Sequence, residues 1–235
     1  MRSISINEIK KMQKKIITTG DGSPSLYIEE LNETYHSKHG ALTESNFVYI
    51  NKGLAHWLDQ NNKNELKVFE MGLGTGLNAY LSYVFTVEHK ITCHYLTIEK
   101  HPLSFKEVQS LKMKASLPAP WHHHFFDQLH EAEWDQMFCR SNFFFKKVEE
   151  DFFNMVLDQS FDVLFYDAFG YHAQSEMWQD KALERCYDIL QPGGVWVSYC
   201  AKGTVRRSLE KIGFLVERLE GPPGKREMLR AIKQV

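Results

Sequence analysis

The stretch Lys67-Val68-Phe69-Glu70-Met71-Gly72-Leu73-Gly74-Thr75-Gly76 decides the fold, because a short apolar strand ends there in a glycine loop with an acidic residue at its mouth. Gly72, Gly74 and Gly76 remove Cβ atoms where the backbone must turn tightly and approach a ligand closely. Leu77 to Phe85 then continues as an apolar helix. Leu77 stands where the third glycine of the dinucleotide fingerprint should fall, and no Gly-Lys-Ser/Thr follows to cradle a triphosphate. The expected ligand therefore lacks a pyrophosphate. Glu70 would repel phosphates but suits an ammonium, which points to the amino-acid end of S-adenosylmethionine.

Two further strand ends extend this reading. Ile91 to Ile98 alternates, carries β-branched residues and ends in Glu99, 23 residues beyond Gly76. An acidic side chain about 20 residues past such a loop accepts hydrogen bonds from ribose hydroxyls; the alternative is a solvated charge at a strand end. Phe143 to Val148 is a third apolar run, followed by Glu149, Glu150 and Asp151, with Asp151 placed to accept from an adenine amino group. Adenine, ribose and ammonium all present donors, and carboxylates are acceptors only.

The remaining pattern alternates strand and helix, as in a parallel sheet covered on both faces. Phe161 to Tyr166 reads as a fourth strand, Lys181 to Leu190 as a helix, Gln191 to Gly194 as a turn and Val195 to Cys200 as a fifth strand. Thr204 to Ile212 is the last helix. Phe214 to Glu220 and Arg226 to Lys233, joined through Gly221-Pro222-Pro223-Gly224, form an antiparallel hairpin. The expected fold is α/β, of the class I S-adenosylmethionine-dependent methyltransferase type: Rossmann-like, with a seven-stranded, mostly parallel sheet and an antiparallel C-terminal hairpin. Residues 1–57 are expected to be an N-terminal extension packed on the cofactor mouth, and residues 58–235 the core, within one domain.

Composition agrees with a single packed domain: 235 residues with 43% hydrophobic content can bury a core. Cys93, Cys139, Cys186 and Cys200 lie far apart with no C-x-x-C, so neither a zinc knuckle nor a redox pair is expected. No N-terminal apolar run resembles a secretion signal and no run is long enough to span a membrane, so the expected location is cytoplasmic, with no membrane partner. His122, His123 and His124 adjoin, but three consecutive side chains cannot face one ion from a regular strand, and no metal is expected.

An ordered set of motifs over nearly the whole chain resembles the methyltransferase domain of the MnmC family, bacterial enzymes that complete 5-methylaminomethyl-2-thiouridine at the wobble uridine of certain tRNAs. The set comprises Asp21-Gly22-Ser23, Leu26-Tyr27, Asn32-Glu33, Tyr35-His36-Ser37, Gly40, Glu44-Ser45 and Phe69 to Asn78. It continues with Ile98-Glu99-Lys100, Pro102-Leu103, Tyr166-Asp167-Ala168-Phe169, Glu176-Met177-Trp178, Val205-Arg206-Arg207 and Gly224 to Met228. The family often has Asp-Gly-Phe where this chain has Asp167-Ala168-Phe169, and the loop before Lys225 is Gly-Pro-Pro-Gly. The resemblance implies S-adenosyl-L-methionine as cofactor, with Glu44, Asn78 and Lys100 joining Glu70, the three glycines, Glu99, Asp151 and Asp167 around it. It also implies the anticodon stem-loop of tRNA as partner. The FAD-dependent oxidase domain of the fused enzymes is absent from this sequence, so FAD is not expected here; methyl transfer alone is, with a separate FAD-dependent oxidase as a conceivable partner.

Asp167, at the end of the fourth strand, is the expected catalytic residue. Attack on a sulfonium methyl needs a neutral amine, and a primary alkylamine is largely protonated near neutral pH. Asp167 can hold the amine in line and accept its proton, orientation contributing more than proton removal; the alternative is a carboxylate that caps a loop or binds the methionine amino group. Phe169, Tyr171 and Trp178 are candidates for a wall against the uracil ring, with core packing as the alternative. From Ala201 to Val235 there are nine Lys/Arg against four Glu, and Arg2, Lys10, Lys11, Lys14 and Lys15 cluster near the start. Arg206, Arg207, Lys225 and Arg226 are the expected phosphate contacts, the other cations solvated surface. His36 and His39 suit closure of the cofactor pocket or substrate contact equally. Aminopropyl transferases and small-molecule amine methyltransferases share this sheet, but paired cations disfavour a polyamine. A non-catalytic RNA-binding module is disfavoured by Asp167 and the intact glycine loop.

Overall fold

The computed structural model describes residues 13–234. Arg2, Lys10 and Lys11 of the basic N-terminal cluster lie outside these residues. Three short antiparallel strands come first, β1 (Lys14–Thr18), β2 (Pro24–Ile28) and β3 (Glu33–Thr34), forming a small sheet. A helix over residues 41–60, α1, follows, and its middle, Asn46–Ala55, is wound as a π-helix. Then come β4 (Glu65–Met71), α2 (Leu77–Glu88), β5 (Thr92–Glu99), α3 (Phe105–Leu111), α4 (His123–Glu131), β6 (Met137–Arg140), β7 (Phe143–Glu149) and β8 (Phe161–Tyr166). The chain ends with α5 (Asp180–Ile189), β9 (Leu190–Ser198), α6 (Gly203–Ile212) and the hairpin β10 (Phe214–Glu220) and β11 (Glu227–Lys233).

The large sheet has the order β10-β11-β9-β8-β4-β5-β7-β6. Strands β7, β5, β4, β8 and β9 run parallel, while β11 is antiparallel to β9 and β10 to β11. This is the expected seven-stranded arrangement with one addition, β6, which pairs antiparallel with β7 at the edge. Strand alternation sends successive residues to opposite faces. Val68, Tyr95, Val163, Phe165 and Val197 pack under α1, α2 and α4. Phe69, Leu96, Leu164, Tyr166 and Trp196 pack under α5 and α6. Both faces are covered, which is why β8 is buried at every residue.

The expected turn at Gln191 to Gly194 is instead part of β9, where the pairing with β8 shifts register between Phe161 and Val163 and Gly193 takes φ +78°. A bulge absorbs the Pro-Gly-Gly without breaking the strand.

The segment before the core is tied to it through side chains. The Asp21 carboxylate accepts hydrogen bonds from Ser23 N (3.0 Å), Thr43 N and Thr43 Oγ1 (both 2.9 Å), which fastens the β1–β2 turn to the start of α1. Lys14 pairs with Glu107 of α3 at 2.8 Å. Helix α1 runs without a break past residue 57, and Trp57 on it is buried.

Strand order reverses at β4, with β5 and β7 to one side and β8 and β9 to the other. The crevice outside the carboxyl ends of β4 and β8 is therefore where this topology offers a ligand site.

Candidate active site

The glycine loop leaves β4 with Gly72, Gly74 and Gly76 at φ +93°, +51° and +75°. A Cβ at Gly74 would lie 3.3 Å from the Tyr35 ring, and one at Gly76 would meet Leu129 and His130 at 2.8 Å. The loop thus needs glycine both for its left-handed backbone and for space. Gly72 N donates to Ile98 O at 2.9 Å, which holds the loop against the end of β5.

The strand-end carboxylates stand at the same ends of neighbouring strands as this loop. Glu99 accepts from Gly74 N at 3.1 Å and His101 N at 2.8 Å; burial raises its pKa, and these backbone bonds oppose the rise. Asp151 accepts from Lys100 Nζ at 2.6 Å and Phe153 N at 2.8 Å; burial pushes its carboxyl up, but the bonds from Lys100 and Phe153 outweigh it and hold it below the usual range. Lys100 therefore ties the ends of β5 and β7 together.

Glu70 is placed differently from the expectation of a group at the mouth of the loop. It shares the α1–α2 face of β4 with Val68, pairs in register with Thr97 and is fully buried. Asn78, Thr97 and Tyr95 face it, yet neither carboxyl oxygen has a partner in hydrogen-bonding geometry. Burial pushes its pKa up to about 8.

Asp167 closes the crevice from the β8 side, its backbone N donating to Met71 O at 3.1 Å. Its two oxygens are held from opposite sides: Tyr49 Oη donates to Oδ1 at 2.6 Å and Asn78 Nδ2 to Oδ2 at 2.9 Å. Burial pushes this carboxyl up to about 7; the charge of Glu44 adds to the rise, while the bonds from Tyr49 and Asn78 and the charge of Lys225 oppose it. Tyr49, buried in the π-helical part of α1, has no signature in the sequence. It follows Glu44-Ser45 by four residues, but nothing local marks a tyrosine as partner to a carboxylate 118 residues away.

Beside Asp167 opens a cleft of about 680 Å³. Its wall is built on the residues that follow Asp167: Tyr199 Oη donates to Ala168 O at 2.7 Å and Trp178 Nε1 to Phe169 O at 2.8 Å. Tyr171 and Trp178 line the cleft as expected, whereas Phe169 turns away and packs edge-on against Tyr35 at 5.1 Å. Tyr199 and His172 also line it, and no motif in the sequence points to either.

The expected phosphate ligands separate in space. Arg226 lines the cleft. Lys225 lines it too, but its Nζ is paired with buried Glu44 at 2.5 Å and lies 3.8 Å over the Tyr199 ring. Glu44, expected at the cofactor, thus holds Lys225 and the backbone of Ser37. Arg206 is paired with Glu210 on α6, and neither it nor Arg207 lines the cleft. His36 is buried between Ser25 Oγ and Thr75 Oγ1, both at 3.1 Å, and burial lowers its pKa to about 4. It is a neutral strut under the glycine loop. His123 hydrogen-bonds with Leu117 O and His124 with Arg140, and among the described residues no group of three His, Cys, Asp or Glu is arranged to hold a metal ion.

The donor set fits S-adenosylmethionine. Glu99 and Asp167 adjoin a loop that a Cβ would obstruct, Asp151 stands at the next strand end, and the unpartnered carboxyl of Glu70 is buried on the strand that leads into the loop, matching a ligand with a cationic head and several donors.

Residues 115–234 match a family described as S-adenosyl-L-methionine-dependent methyltransferase. Relatives include the tRNA 5-methylaminomethyl-2-thiouridine biosynthesis bifunctional protein MnmC of Marinomonas sp., 28% identical over 225 residues that cover 88% of this chain and 32% of that protein. The protein of the same name from Leptospira interrogans is 28% identical over 211 residues, covering 86% and 32%. The chain spans about a third of the length of these relatives. Among solved structures, MNMC2 from Aquifex aeolicus superposes with a TM-score of 0.74 at 22% identity, covering 94% of this chain and 70% of that one. Spermidine synthase from Thermotoga maritima reaches 0.56 at 13% identity, covering 94% and 69%. These two likenesses establish the fold.

Proposed function

The chain belongs to the S-adenosyl-L-methionine-dependent methyltransferases, and on that footing we propose that it methylates the aminomethyl group at C5 of the wobble uridine of tRNA, forming 5-methylaminomethyl(-2-thio)uridine. The observation that carries this reading is the placement of Asp167. A carboxyl pushed up to about 7 and clamped at both oxygens adjoins the glycine loop, and the chain that follows it reaches, from Gly170 on, a cleft lined by aromatic rings and cations.

When bound, S-adenosylmethionine supplies an electrophilic methyl group on a sulfonium. Glu99 and Asp151 supply acceptors for its ribose and adenine, and the glycine loop gives its amino-acid end close approach to the backbone. Asp167 receives the substrate ammonium, accepts its proton and leaves the nitrogen lone pair directed at the methyl carbon. Bound there, S-adenosylmethionine would supply the methyl group to the nitrogen that Asp167 holds. Holding the amine in line supplies more of the rate than the proton shift. Tyr171 and Trp178 offer faces for the pyrimidine.

A polyamine substrate, as in aminopropyl transfer on the same fold, fits poorly: Lys202, Arg218, Lys225 and Arg226 outnumber Glu227 along the cleft. No helix among the described residues is long and apolar enough to cross a membrane, and a tRNA substrate implies action in the cytoplasm. An FAD-dependent oxidase acting on the same tRNA position is the proposed functional partner.

The test is labelled-methyl incorporation into tRNA carrying aminomethyl or carboxymethylaminomethyl uridine, followed by nucleoside analysis. Incorporation is expected only into the aminomethyl form. Asp167→Asn should abolish it while S-adenosylmethionine still binds by calorimetry. Methylation of a free polyamine or a protein, with none in aminomethylated tRNA, overturns the reading.

A further inference from the structure

We propose that the cleft beside Asp167 is a binding site for the single-stranded RNA backbone flanking the reacting nucleotide, in which Lys202, Arg218 and Arg226 hold phosphates and Tyr171 offers a stacking face. The inference rests on the tRNA reading above and assigns the phosphates to a set that differs from the basic pairs in the sequence. Arg206 and Lys225 each have a close carboxylate, Glu210 at 2.6 Å and Glu44 at 2.5 Å. A cation so paired has little left for a phosphate, since the ligand would have to displace a hydrogen-bonded carboxylate.

Lys202 and Arg226 have no ion pair among the described residues, and Arg218 reaches only Glu227, at 3.8 Å, with its side chain 62% exposed. These three come from the β9–α6 connection, from β10 and from the β10–β11 turn, and converge on one cleft. Lys202 Nζ lies 4.1 Å over the Tyr171 ring, and that ring is 37% exposed, a large aromatic left accessible at a cationic rim.

This combination decides the class of partner. Phosphates spaced along a chain need several cations with free donors, and unpaired bases need an aromatic face. An acidic peptide would use the cations but not the ring. Duplex RNA would keep its bases stacked away from Tyr171. Lys225 has another role: braced by Glu44 and Tyr199, it fixes the cleft floor between the RNA site and Asp167.

The experiment measures binding of an unmodified anticodon stem-loop RNA to the full chain, with S-adenosylhomocysteine present, by fluorescence anisotropy across a salt series. Lys202→Ala, Arg218→Ala and Arg226→Ala should each flatten the slope of log K against log salt by about 0.7 for each phosphate that is no longer neutralised. Tyr171→Ala should weaken binding about tenfold or more with the slope unchanged. Lys63→Ala, a one-charge control in the connection before β4 at the amino ends of the parallel strands, should leave both alone. In turnover assays Lys202→Ala, Arg218→Ala and Arg226→Ala should raise KM for the RNA and keep kcat at saturation. Unchanged slopes in all three variants, in an enzyme that still methylates tRNA, overturn this site and leave the substrate reading standing. Tighter binding of polyglutamate than of the RNA, with the same residues responsible, overturns it in favour of an acidic protein. Failure of the parent chain to methylate any RNA strikes the substrate reading itself.

Discussion

Tyr49→Phe tests how Asp167 is tuned. The substitution keeps the ring and removes one hydrogen bond to the carboxylate, the 2.6 Å bond to Oδ1. Burial and the neighbouring Asp167 charge hold the Tyr49 hydroxyl well above its ordinary pKa, so it donates as a neutral phenol. A hydrogen bond to the ionised form lowers a carboxyl's pKa, so its loss raises it. Bonds to charged groups are worth about 1.5–3 kcal/mol, and 1.36 kcal/mol is one pKa unit, so the expected rise is about 1–2 units. Starting from about 7, Asp167 moves to about 8–9, and the ionised fraction at pH 7.5 falls from about three quarters to between about a quarter and ~3%. The other groups acting on Asp167 (Glu44 on α1, Asn78 on α2, Glu70 on β4, Tyr199 after β9 and Lys225 on the terminal hairpin) are untouched. Turnover at pH 7.5 should therefore drop about 3- to 25-fold and recover above about pH 9. The assay is kcat against pH with saturating substrates, beside calorimetric binding of S-adenosylhomocysteine, which should be unchanged. An acid limb at the parent's pH, with a uniformly lower rate, would show that Tyr49 supports packing and not the protonation of Asp167.

Gly74→Ala places a Cβ 3.3 Å from the Tyr35 ring at φ +51° and strains the Gly74 N–Glu99 bond; thermal melts should show a loss of about 1–2 kcal/mol, and affinity for S-adenosylmethionine should fall about tenfold or more. Asp21→Ala removes the bonds to Ser23 and Thr43 and should cost about 2–4 kcal/mol in urea melts at pH 7. Partial burial raises the Asp21 pKa, but the bonds from Ser23, Thr43 and Thr19 outweigh it and hold the carboxyl well below its ordinary value. Its contribution is therefore present above the unfolded pKa of about 3.9 and lost as pH falls through the folded one, so parent and variant stabilities should converge on acidification. Because Glu70 and Asp167 are pushed up to about 8 and about 7, binding of cationic S-adenosylmethionine should release protons, read as different binding enthalpies in phosphate and Tris buffers. Equal enthalpies in the two buffers would mean these carboxyls keep their protons when the ligand binds.

The parts of this fold that a single sequence discloses are those whose burial is uniform. Phe161–Tyr166 is apolar apart from Asp162 because helices cover both faces of β8, and its bounds match the expected strand. The hairpin is readable from its Pro-Pro turn. By contrast β6, Met-Phe-Cys-Arg with no buried position, is too short and too exposed for alternation to mark it, and in the first sheet Leu26 and Ile28 of β2 are buried while Asp21 and Lys14 add polar ties. Gln191 to Gly194 is irregular, as its composition implies, but a bulge and a turn use the same residues. In the site, the acids at strand ends are legible because topology alone brings carboxyl ends together. Which cations face a ligand is not: Glu44 and Lys225 are 181 residues apart, and pairing at that range has no local sign.

The same distant pairing explains why the site suits cationic ligands. Asp167 interacts with both Glu44 and Glu70 across a small buried region, and the Lys225 ammonium opposes them there. Burial of three ionised carboxyls against one ammonium is unfavourable, so the group without partners, Glu70, and the one at the crevice, Asp167, retain protons near neutrality. A sulfonium, an α-ammonium or a substrate alkylammonium relieves that imbalance. Binding of a positive ligand then draws Asp167 toward the ionised form that Tyr49 and Asn78 already solvate. Neutral ligands lack this coupling, which favours a cationic ligand over a neutral one of the same shape.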